Sequence, residues 1–461
     1  MRLQIANPSA HAELAGLPFR DRLEDWDLEG MHGVLGLHRH VVRLIELDDT
    51  SYVIKELPDA LVEREYRLLR ELADDGLPTA EVVAALTGKP DQVDGMLITR
   101  HLDYSLPYRT LLAGRGLTIP YLGDRMLDAL VGLLVRLHLA GFYWGDCSLS
   151  NTLFRRDAGA LSAYVIDLET GERYPSLTAG QRRLDLDIAT ENVAGGLLDL
   201  QIGGRLAADI DPWEVSTQIE ERYASLWTEL TAPAEFAADE TFRIEQRLQR
   251  LHQLGYDVEE MEIVDSPDGE RLRYIPRVVE HGFHSERLKS MTGLETTENQ
   301  ARRLLGDIRA FGAELQQQRA AESVRTGVPL RALPENVVAV RWLDQRFEPL
   351  IAQIPPALHS KLEAAEIFHQ LLEHRWFLSE RANVDISLED ALESYVADVL
   401  AEAPDELLYL GEVTAEIPVI APESPAGDRP ASESWPPPRS GPGADDIGEP
   451  PRSGGRYVEQ P

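Results

Sequence analysis

Three polar residues of this chain stand at a spacing that suits phosphoryl transfer. Asp146 is followed by Asn151, and Asp167 ends a short apolar run further along the chain. Such transfer uses one carboxylate that faces the acceptor hydroxyl, together with an amide and a second carboxylate that hold the Mg²⁺ bridging the phosphates of ATP. Residues 152–154 and 164–166 predict the two strands of a β-hairpin. That hairpin would bring Asn151 and Asp167 side by side.

A lysine and a glutamate upstream extend this pattern. Residues 41–47 and 52–57 are β-rich runs separated by a polar turn, so they predict two antiparallel strands. The second strand carries Lys55 among apolar neighbours, and an amphipathic helix is predicted after it. A strand lysine followed by a glutamate on the next helix is how kinases align the α- and β-phosphates of ATP. Glu65 is our first candidate for this glutamate, and Glu63 is the alternative.

Glycines recur at every third position ahead of these strands, at Gly30, Gly33 and Gly36. Glycine allows the backbone to approach a phosphate group closely. The position of these glycines before two strands favours a phosphate-binding loop. The same spacing also occurs in ordinary loops, and that alternative stays open.

Each candidate residue also has a purely structural interpretation. Lys55 could be a charge at the rim of a sheet, and Asp167 could simply end a strand. Asp146 and Asn151 could order a turn through hydrogen bonds from side chain to backbone. These interpretations require four separate coincidences, whereas one catalytic arrangement explains all four placements.

The order of the predicted elements leads to a resemblance. They run as strand, strand with lysine, helix with glutamate, hairpin, helix, aspartate loop, hairpin and aspartate. In this order, residues 28–206 resemble the lipopolysaccharide (Kdo) kinase branch of the protein-kinase-like superfamily, a relative of the aminoglycoside phosphotransferases. The downstream half resembles a family catalogued as domain of unknown function 4032, to which no activity is attached. That second resemblance rests on the runs Gly282-Phe283-His284-Ser285, Glu298-Asn299-Gln300-Ala301-Arg302-Arg303-Leu304-Leu305 and Glu373-His374-Arg375-Trp376.

The kinase resemblance implies a role for each matched residue. Lys55 would contact the α- and β-phosphates of ATP, and Glu65 would orient Lys55. Asp146 would face the acceptor hydroxyl, while Asn151 and Asp167 would bind Mg²⁺. The implied function is an ATP- and Mg²⁺-dependent phosphotransferase. The alternative is a pseudokinase-like protein that binds nucleotide and serves as a regulator or scaffold.

Departures from the protein kinase pattern favour a small hydroxyl acceptor, as in sugar kinases. Trp144-Gly145 replaces the His-Arg pair before the catalytic aspartate, so a phosphorylated loop would lack its arginine partner. Ser148 stands where many protein kinases have a lysine near the γ-phosphate, and Asp-Leu-Glu at 167–169 replaces Asp-Phe-Gly. The segment between Asp167 and the next predicted helix is also short for a platform that binds a protein substrate.

Two further features surround the Asp146 loop. The next helix, predicted at 184–200, carries Asp185 and Asp187 among apolar positions. We expect one of these aspartates to brace the loop from below and the other to lie on a solvated face. Cys147, next to Asp146, is expected to be buried packing rather than a reactive thiol.

The sequence predicts an α+β chain with a bilobal protein-kinase-like fold at 28–206, divided into an N-lobe (28–102) and a C-lobe (103–206). A second, mostly helical α+β domain of unknown function is predicted at 213–405. Residues 421–461 are rich in proline, glycine and acids and cannot offset their ordering entropy by burial, so a disordered tail is predicted. The elements predicted in the second domain are helices at 214–230, 242–254, 298–318, 335–354, 356–377 and 388–400, and a hairpin at 258–279.

Three polar residues in the second domain could hold a metal. Glu366, His369 and Glu373 lie on one face of a predicted helix. A glutamate and a histidine at this spacing occur in carboxylate-bridged metal sites, but those sites need a second such helix. We find no convincing second helix of this kind in the sequence. A polar seam against another element is therefore favoured, and metal binding is the alternative.

The composition bounds the remaining function classes. A net charge of −34 argues against nucleic acid and anionic membrane surfaces as partners, because both require concentrated positive charge. No apolar run is long enough for membrane insertion, and the N-terminus lacks the pattern of a secretory signal. A single cysteine fits a reducing compartment. We expect a cytoplasmic protein that binds nucleotide and an unknown hydroxyl acceptor, with the second domain or the tail as the place for any protein partner.

Overall fold

The structure, a computed structural model, describes residues 1–407, and the predicted tail lies outside the described residues. A sheet-rich N-terminal lobe is followed by a largely helical region, which confirms the predicted α+β class. Met1–Glu412 form one compact unit. Within 1–407 the residues that are not described are 34–39, 49, 91–93, 113–121, 233, 238–241, 244, 247–248, 250, 252–254, 266–270 and 327–330.

The secondary structure elements are named in chain order. The strands are β1 (Arg2–Ile5), β2 (Met31–Gly33), β3 (Val41–Leu47), β4 (Thr50–Leu57), β5 (Val82–Thr87), β6 (Gly95–Arg100), β7 (Ser105–Pro107), β8 (Phe142–Tyr143), β9 (Thr152–Asp157), β10 (Ala160–Val165), β11 (Glu172–Arg173), β12 (Ala234–Ala237), β13 (Tyr256–Asp265) and β14 (Arg271–His281). The first helices are α1 (Asp59–Asp74), α2 (Tyr108–Leu112), α3 (Leu122–Leu139), α4 (Ala179–Ile202) and α5 (Pro212–Thr231). The further helices are Phe283–Thr292, Glu298–Thr326, Glu335–Trp342, Glu348–Ile351, Ala364–Ala382 and Leu388–Tyr395.

Six strands form the sheet of the N-terminal lobe, in the order β1-β5-β6-β4-β3-β2. Side chains alternate along β4, so Tyr52 and Ile54 are buried on one face and Lys55 lies on the other. The buried face packs on Leu14 and Trp26 from the N-terminal segment. Lys55 is thereby left on the face that carries α1.

Residues 1–27 pack on this sheet, ahead of the predicted start of the lobe at residue 28. β1 pairs with β5 at the sheet edge. Lys89, whose side chain is fully buried, lies 2.8 Å from the Asp21 carbonyl and 3.0 Å from Glu56 Oε1. A buried ammonium needs such partners to offset its lost hydration. These contacts fasten the N-terminal segment to the sheet.

The C-terminal lobe is built around α3 and α4. Leu130, Leu134 and Leu137 recur on the buried side of α3, as an amphipathic helix requires. Helix α4 begins at Ala179, ahead of the predicted start at 184, because Thr178 and Gln181 form a capping box. Between these helices, β9 and β10 form the predicted hairpin.

The hairpin and the helices predicted from residue 298 onward in the second domain are present, some with shifted ends. The hairpin expected at 258–279 is formed by β13 and β14. The helix expected at 356–377 instead begins at Ala364, because Pro356–Leu358 form a short 3₁₀ turn and Glu363 is extended. The helix expected at 242–254 lies largely outside the described residues. Trp342, Phe347 and Phe368 pack against one another in the core of this region.

Candidate active site

Lys55 and Glu65 meet where β4 faces α1. Lys55 Nζ lies 3.4 Å from Glu65 Oε2, and the Glu65 side chain is 1% exposed. Glu65 is buried because it shares the inward face of α1 with Leu68, Leu69 and Leu72. Glu63 is exposed instead. The structure therefore pairs Lys55 with the first candidate and not with the alternative.

Two further carboxylates contact Lys55. Asp167 Oδ2 lies 2.9 Å and Glu169 Oε1 2.8 Å from Lys55 Nζ. Glu169 Oε1 is also 3.0 Å from His40 Nε2. Carboxylate oxygens of Glu65, Asp167 and Glu169 lie within 4.8 Å of one another, and no other described residues form a three-membered group of potential metal ligands. The sequence prediction did not include Glu169 or His40.

The charges in this cluster depend on one another. Burial favours the neutral form of Lys55, but attraction to Glu65 and Asp167 outweighs it and raises the pKa of Lys55. For Asp167, burial alone would raise the pKa, because it also favours the neutral form of a carboxyl group. The attraction of Lys55 is stronger and holds the pKa of Asp167 below its usual range. Burial raises the pKa of Glu65 to about 7, and repulsion from Asp167 and Glu169 adds to the effect of burial. Asp167 is therefore ionised at neutral pH and suited to a cation.

The turn after Asp167 is fixed by its neighbours. The Trp144 indole N–H donates to the Asp167 carbonyl at 3.0 Å, and the Leu168 N–H donates to Glu65 Oε1 at 3.0 Å. The Glu169 N–H donates to Asp167 Oδ1 at 3.1 Å. These hydrogen bonds hold the backbone of residues 167–169 so that the carboxylates of Asp167 and Glu169 lie at Lys55. None of these bonds involves the Glu169 side chain.

Asp146 is held by two amide side chains. Asn151 Nδ2 donates to Asp146 Oδ2 at 3.0 Å, and Asn192 Nδ2 on α4 donates to Asp146 Oδ1 at 3.0 Å. Because Nδ2 of Asn151 faces Asp146, the other end of that amide, Oδ1, can serve as a cation ligand. Cys147 is buried, as predicted, and burial raises the pKa of its thiol. Asn192 was missed because nothing in the sequence sets it apart from other polar residues of α4.

A fully buried aspartate supports the Asp146 loop. Asp185 Oδ2 accepts a hydrogen bond from the Trp144 N–H at 2.8 Å, and Asp185 Oδ1 accepts one from the Gly145 N–H at 2.8 Å. The side chain of Asp187 is 47% exposed. The predicted division of roles is confirmed, with Asp185 as the brace and Asp187 on the solvated face.

Two of the three upstream glycines, Gly30 and Gly33, lie at β2. Gly30 has a φ of +76°, and a Cβ there would lie 3.0 Å from the Glu46 carbonyl, so the close approach to β3 requires glycine. Gly33 ends β2 and pairs with Arg43 of β3. Gly36 lies outside the described residues. The phosphate-binding loop stays a prediction.

Asp157 and Ala158, at the turn of the β9–β10 hairpin, are buried and contact the downstream helices. Asp157 Oδ1 accepts hydrogen bonds from Thr297 Oγ1 at 2.6 Å and from the Gln300 N–H at 2.9 Å, at the N-terminus of a long helix. A carboxylate at this position satisfies amides that the helix itself cannot pair. Arg156 pairs with Glu406 at 2.8 Å. The helical region therefore fixes the hairpin whose two ends adjoin the predicted Mg²⁺ ligands.

The three polar residues of helix Ala364–Ala382 do not converge on a common point. Glu366 Oε2 accepts hydrogen bonds from the Ala158 N–H at 3.0 Å and from Gln300 Nε2 at 3.2 Å. Glu373 is 54% exposed and lies 3.4 Å from His369 Nε2. Within the described part of the chain these residues do not form a group of three metal ligands. The contacts of Glu366 with the hairpin are those of the favoured polar seam.

Solved structures with similar chains include a WaaP complex, a phosphotransferase and a kinase domain. A structure described as WaaP in complex with acyl carrier protein has 18% identity and a TM-score of 0.35, covering 55% of this chain and 99% of that one. An aminoglycoside-3'-phosphotransferase of type VIII has 16% identity and a TM-score of 0.29, covering 43% and 88%. The BubR1 kinase domain has 13% identity and a TM-score of 0.27, covering 37% and 59%.

Comparisons at the level of sequence give two family matches. A search of curated proteins finds no match.

In the described part of the chain, no helix has the length and apolar character needed to cross a membrane. Residues 36–187 match the model of the lipopolysaccharide kinase (Kdo/WaaP) family, and residues 225–400 match the domain of unknown function DUF4032. Both predicted resemblances are confirmed, and the chain thus joins a segment that matches the lipopolysaccharide kinase family to one that matches DUF4032.

Proposed function

We propose that this chain is an ATP- and Mg²⁺-dependent phosphotransferase that acts on a small hydroxyl compound. The observation that carries the proposal is the placement of Lys55, whose ammonium lies 2.9 Å from Asp167 and 3.4 Å from Glu65. The hydrogen bond between Asn151 and Asp146 supports the same arrangement. Together these residues supply a phosphate contact, metal ligands and a carboxylate for the acceptor, which are the parts that phosphoryl transfer needs.

Each residue has one task in the proposed reaction. Lys55 binds the α- and β-phosphates, and Glu65 holds Lys55 in position. Asp146 takes the proton of the acceptor hydroxyl while the hydroxyl oxygen bonds to the γ-phosphorus and the bond from that phosphorus to ADP breaks. The amides of Asn151 and Asn192 fix the Asp146 carboxylate in one orientation. Such positioning lowers the entropic part of the barrier.

The residues around Asp167 fit Mg²⁺ in their chemistry. Mg²⁺ prefers oxygen ligands, and Asp167 offers a carboxylate while Asn151 offers its amide oxygen. The amide nitrogen of Asn151 is used by Asp146, which leaves that oxygen for the metal. Mg²⁺ held there would neutralise charge that develops on the β- and γ-phosphates.

The segment after Asp167 favours a small acceptor. Residues 168–178 contain a tight turn and β11, which pairs with the short strand β8. This leaves no long loop between Asp167 and α4 on which a protein substrate could lie. Trp144 replaces the histidine of protein kinases and is buried, so that position serves packing.

A nucleotide-binding protein without transfer activity is the second candidate. The observation that favours it is Ser148, which stands where many protein kinases have a lysine near the γ-phosphate, so part of the charge stabilisation of the transfer step is missing while the other nucleotide contacts are kept. In this alternative, nucleotide binding would change the shape of the chain or its partner binding without turnover. Loss of Asp146 would then leave the biological function intact.

We expect the purified protein to bind ATP in the presence of Mg²⁺, and we expect Asp167→Ala to remove the metal-dependent part of this affinity. The reason is that Asp167 is the ionised carboxylate at the phosphate contact. Isothermal titration calorimetry with ATP, with and without Mg²⁺ or Mn²⁺, measures both effects. Asp187→Ala, which removes an exposed acid on α4, is the matched control. Absence of binding and of a thermal shift with either cation would contradict the proposal.

We expect label from γ-labelled ATP to reach a small molecule rather than a protein. An extract of small metabolites from a strain that lacks this chain would contain the unphosphorylated acceptor. Incubation of that extract with the enzyme and labelled ATP, followed by chromatography, would reveal the product, and the Asp146→Asn protein is the control. Label that appears only on protein bands would overturn the small-acceptor assignment.

A further inference from the structure

We propose that Glu169 makes nucleotide binding depend on a divalent cation, because it holds Lys55 until the cation is present. Glu169 would thus discriminate metal-bound ATP from metal-free ATP. The inference rests on the proposed function, since it assumes that Lys55 receives phosphate. It goes beyond that function because none of the tasks described above belongs to Glu169.

The contacts of Glu169 bridge two potential cations. Its Oε1 atom lies 2.8 Å from Lys55 Nζ and 3.0 Å from His40 Nε2. The Glu169 side chain is 15% exposed and that of Lys55 17%. A carboxylate oxygen at this distance from an ammonium occupies a position that a phosphate oxygen would take. Metal-free nucleotide must therefore displace Glu169 from Lys55.

This placement of Glu169 is built into the backbone. The Glu169 N–H donates to Asp167 Oδ1 at 3.1 Å, and the preceding Leu168 N–H donates to Glu65 Oε1. Leu168 itself is fully buried. The Gly171 N–H donates to the Leu168 carbonyl at 3.0 Å, so the backbone is held on both sides of Glu169. Release of Lys55 can therefore come from rotation of the Glu169 side chain, which also changes its contact with His40.

Electrostatics explain why the cation matters. Glu65, Asp167 and Glu169 share one lysine, with carboxylate oxygens within 4.8 Å of one another. Metal-free ATP would bring several more negative charges against this cluster, and repulsion is strong where burial limits screening. A divalent cation held by Asp167 would add positive charge beside this cluster, which would lower the repulsion and weaken the hold of Glu169 on Lys55 without direct binding of Glu169 to the metal. Lys55 can then pair with phosphate.

The test compares ATP binding with and without metal. Calorimetric titrations of wild type, Glu169→Gln and Glu169→Ala are run with ATP plus Mg²⁺ and with ATP plus EDTA, at constant ionic strength. Glu172→Gln is the matched control, because Glu172 lies on the same segment, is exposed and loses the same charge. Thermal unfolding of each variant confirms that it is folded.

We expect Glu169→Gln to tighten the Kd of metal-free ATP by about tenfold, since a repulsive charge and a competitor for Lys55 are both removed. The Kd with Mg²⁺ should change much less, and Glu172→Gln should behave as wild type. Glu169→Ala should also tighten the Kd of metal-free ATP, so the inference can still be tested if Glu169→Gln does not fold.

An unchanged ratio of the two Kd values in both Glu169 variants would overturn this inference alone. A wild type that binds no ATP with Mg²⁺ would overturn the proposed function too. Loss of Mg²⁺-ATP binding with unchanged metal-free binding would make Glu169 a metal ligand and also refute the inference.

Discussion

Asp146→Asn is expected to lower the rate of phosphoryl transfer by about 10²–10⁴-fold, the range that a lost general base costs. An amide cannot take up the proton of the acceptor hydroxyl. The affinity for ATP with Mg²⁺ should change much less than the rate, because Asp146 is proposed to act on the acceptor. An asparagine at position 146 can also still accept the hydrogen bond from Asn151 through its Oδ1 atom. The effect should therefore fall on kcat more than on nucleotide binding.

Two measurements decide this case. Calorimetry gives the ATP affinity of Asp146→Asn, and complementation of a deletion strain gives its biological function. Asp187→Asn, on the exposed face of α4, makes the same chemical change and should complement fully. If Asp146→Asn also complements fully, the chain acts as a nucleotide-binding scaffold and the phosphotransferase proposal fails.

Asp185→Ala is expected to destabilise the fold by about 3 kcal/mol, because it leaves several buried donors without an acceptor. Asp185 now accepts from the Trp144 and Gly145 amides and lies 3.0 Å from His138 Nε2. Urea unfolding followed by tryptophan fluorescence measures the change. Asp187→Ala, two positions along the same helix, should stay within about 0.5 kcal/mol of wild type. Equal stability of the two variants would show that Asp185 does not support the loop.

The parts of the candidate site that could be predicted are those whose residues lie close together in the sequence or follow the order of elements that is typical of kinases. Asp146 and Asn151 share one loop, and the alternation of β9 and β10 indicates the hairpin that leads to Asp167. Lys55 and Glu65 lie on consecutive elements, so a strand followed by a helix was enough to pair them. The roles of these residues stay proposals, but their proximity follows from the sequence.

The parts that could not be predicted depend on contacts between distant segments. Asp157 reads as an ordinary turn residue, yet its carboxylate is fully buried at the N-terminus of a helix that begins at Glu298. Leu14 and Trp26 belong to a segment without clear periodicity, and only the sheet gives them a place in the core. The sequence shows Glu169 in place of the glycine of Asp-Phe-Gly, but it contains no signal that the Glu169 side chain contacts Lys55.

The burial of Asp157 at the turn of the β9–β10 hairpin has a consequence for how this chain can vary and be divided into fragments. Asp157 and Thr297 are 140 positions apart, and each belongs to a segment that matches a different family model. A fragment that ends near residue 206 would keep Asn151 and Asp167 but leave Asp157 without the donors that Thr297 and Gln300 provide. Random mutagenesis should therefore recover loss-of-function alleles at Thr297, whose hydroxyl donates to Asp157, and second changes in the hairpin should correct them. We therefore expect a chimera that takes only one of the two segments from a relative to be less stable than one that takes both, unless the relative keeps this carboxylate and its donors.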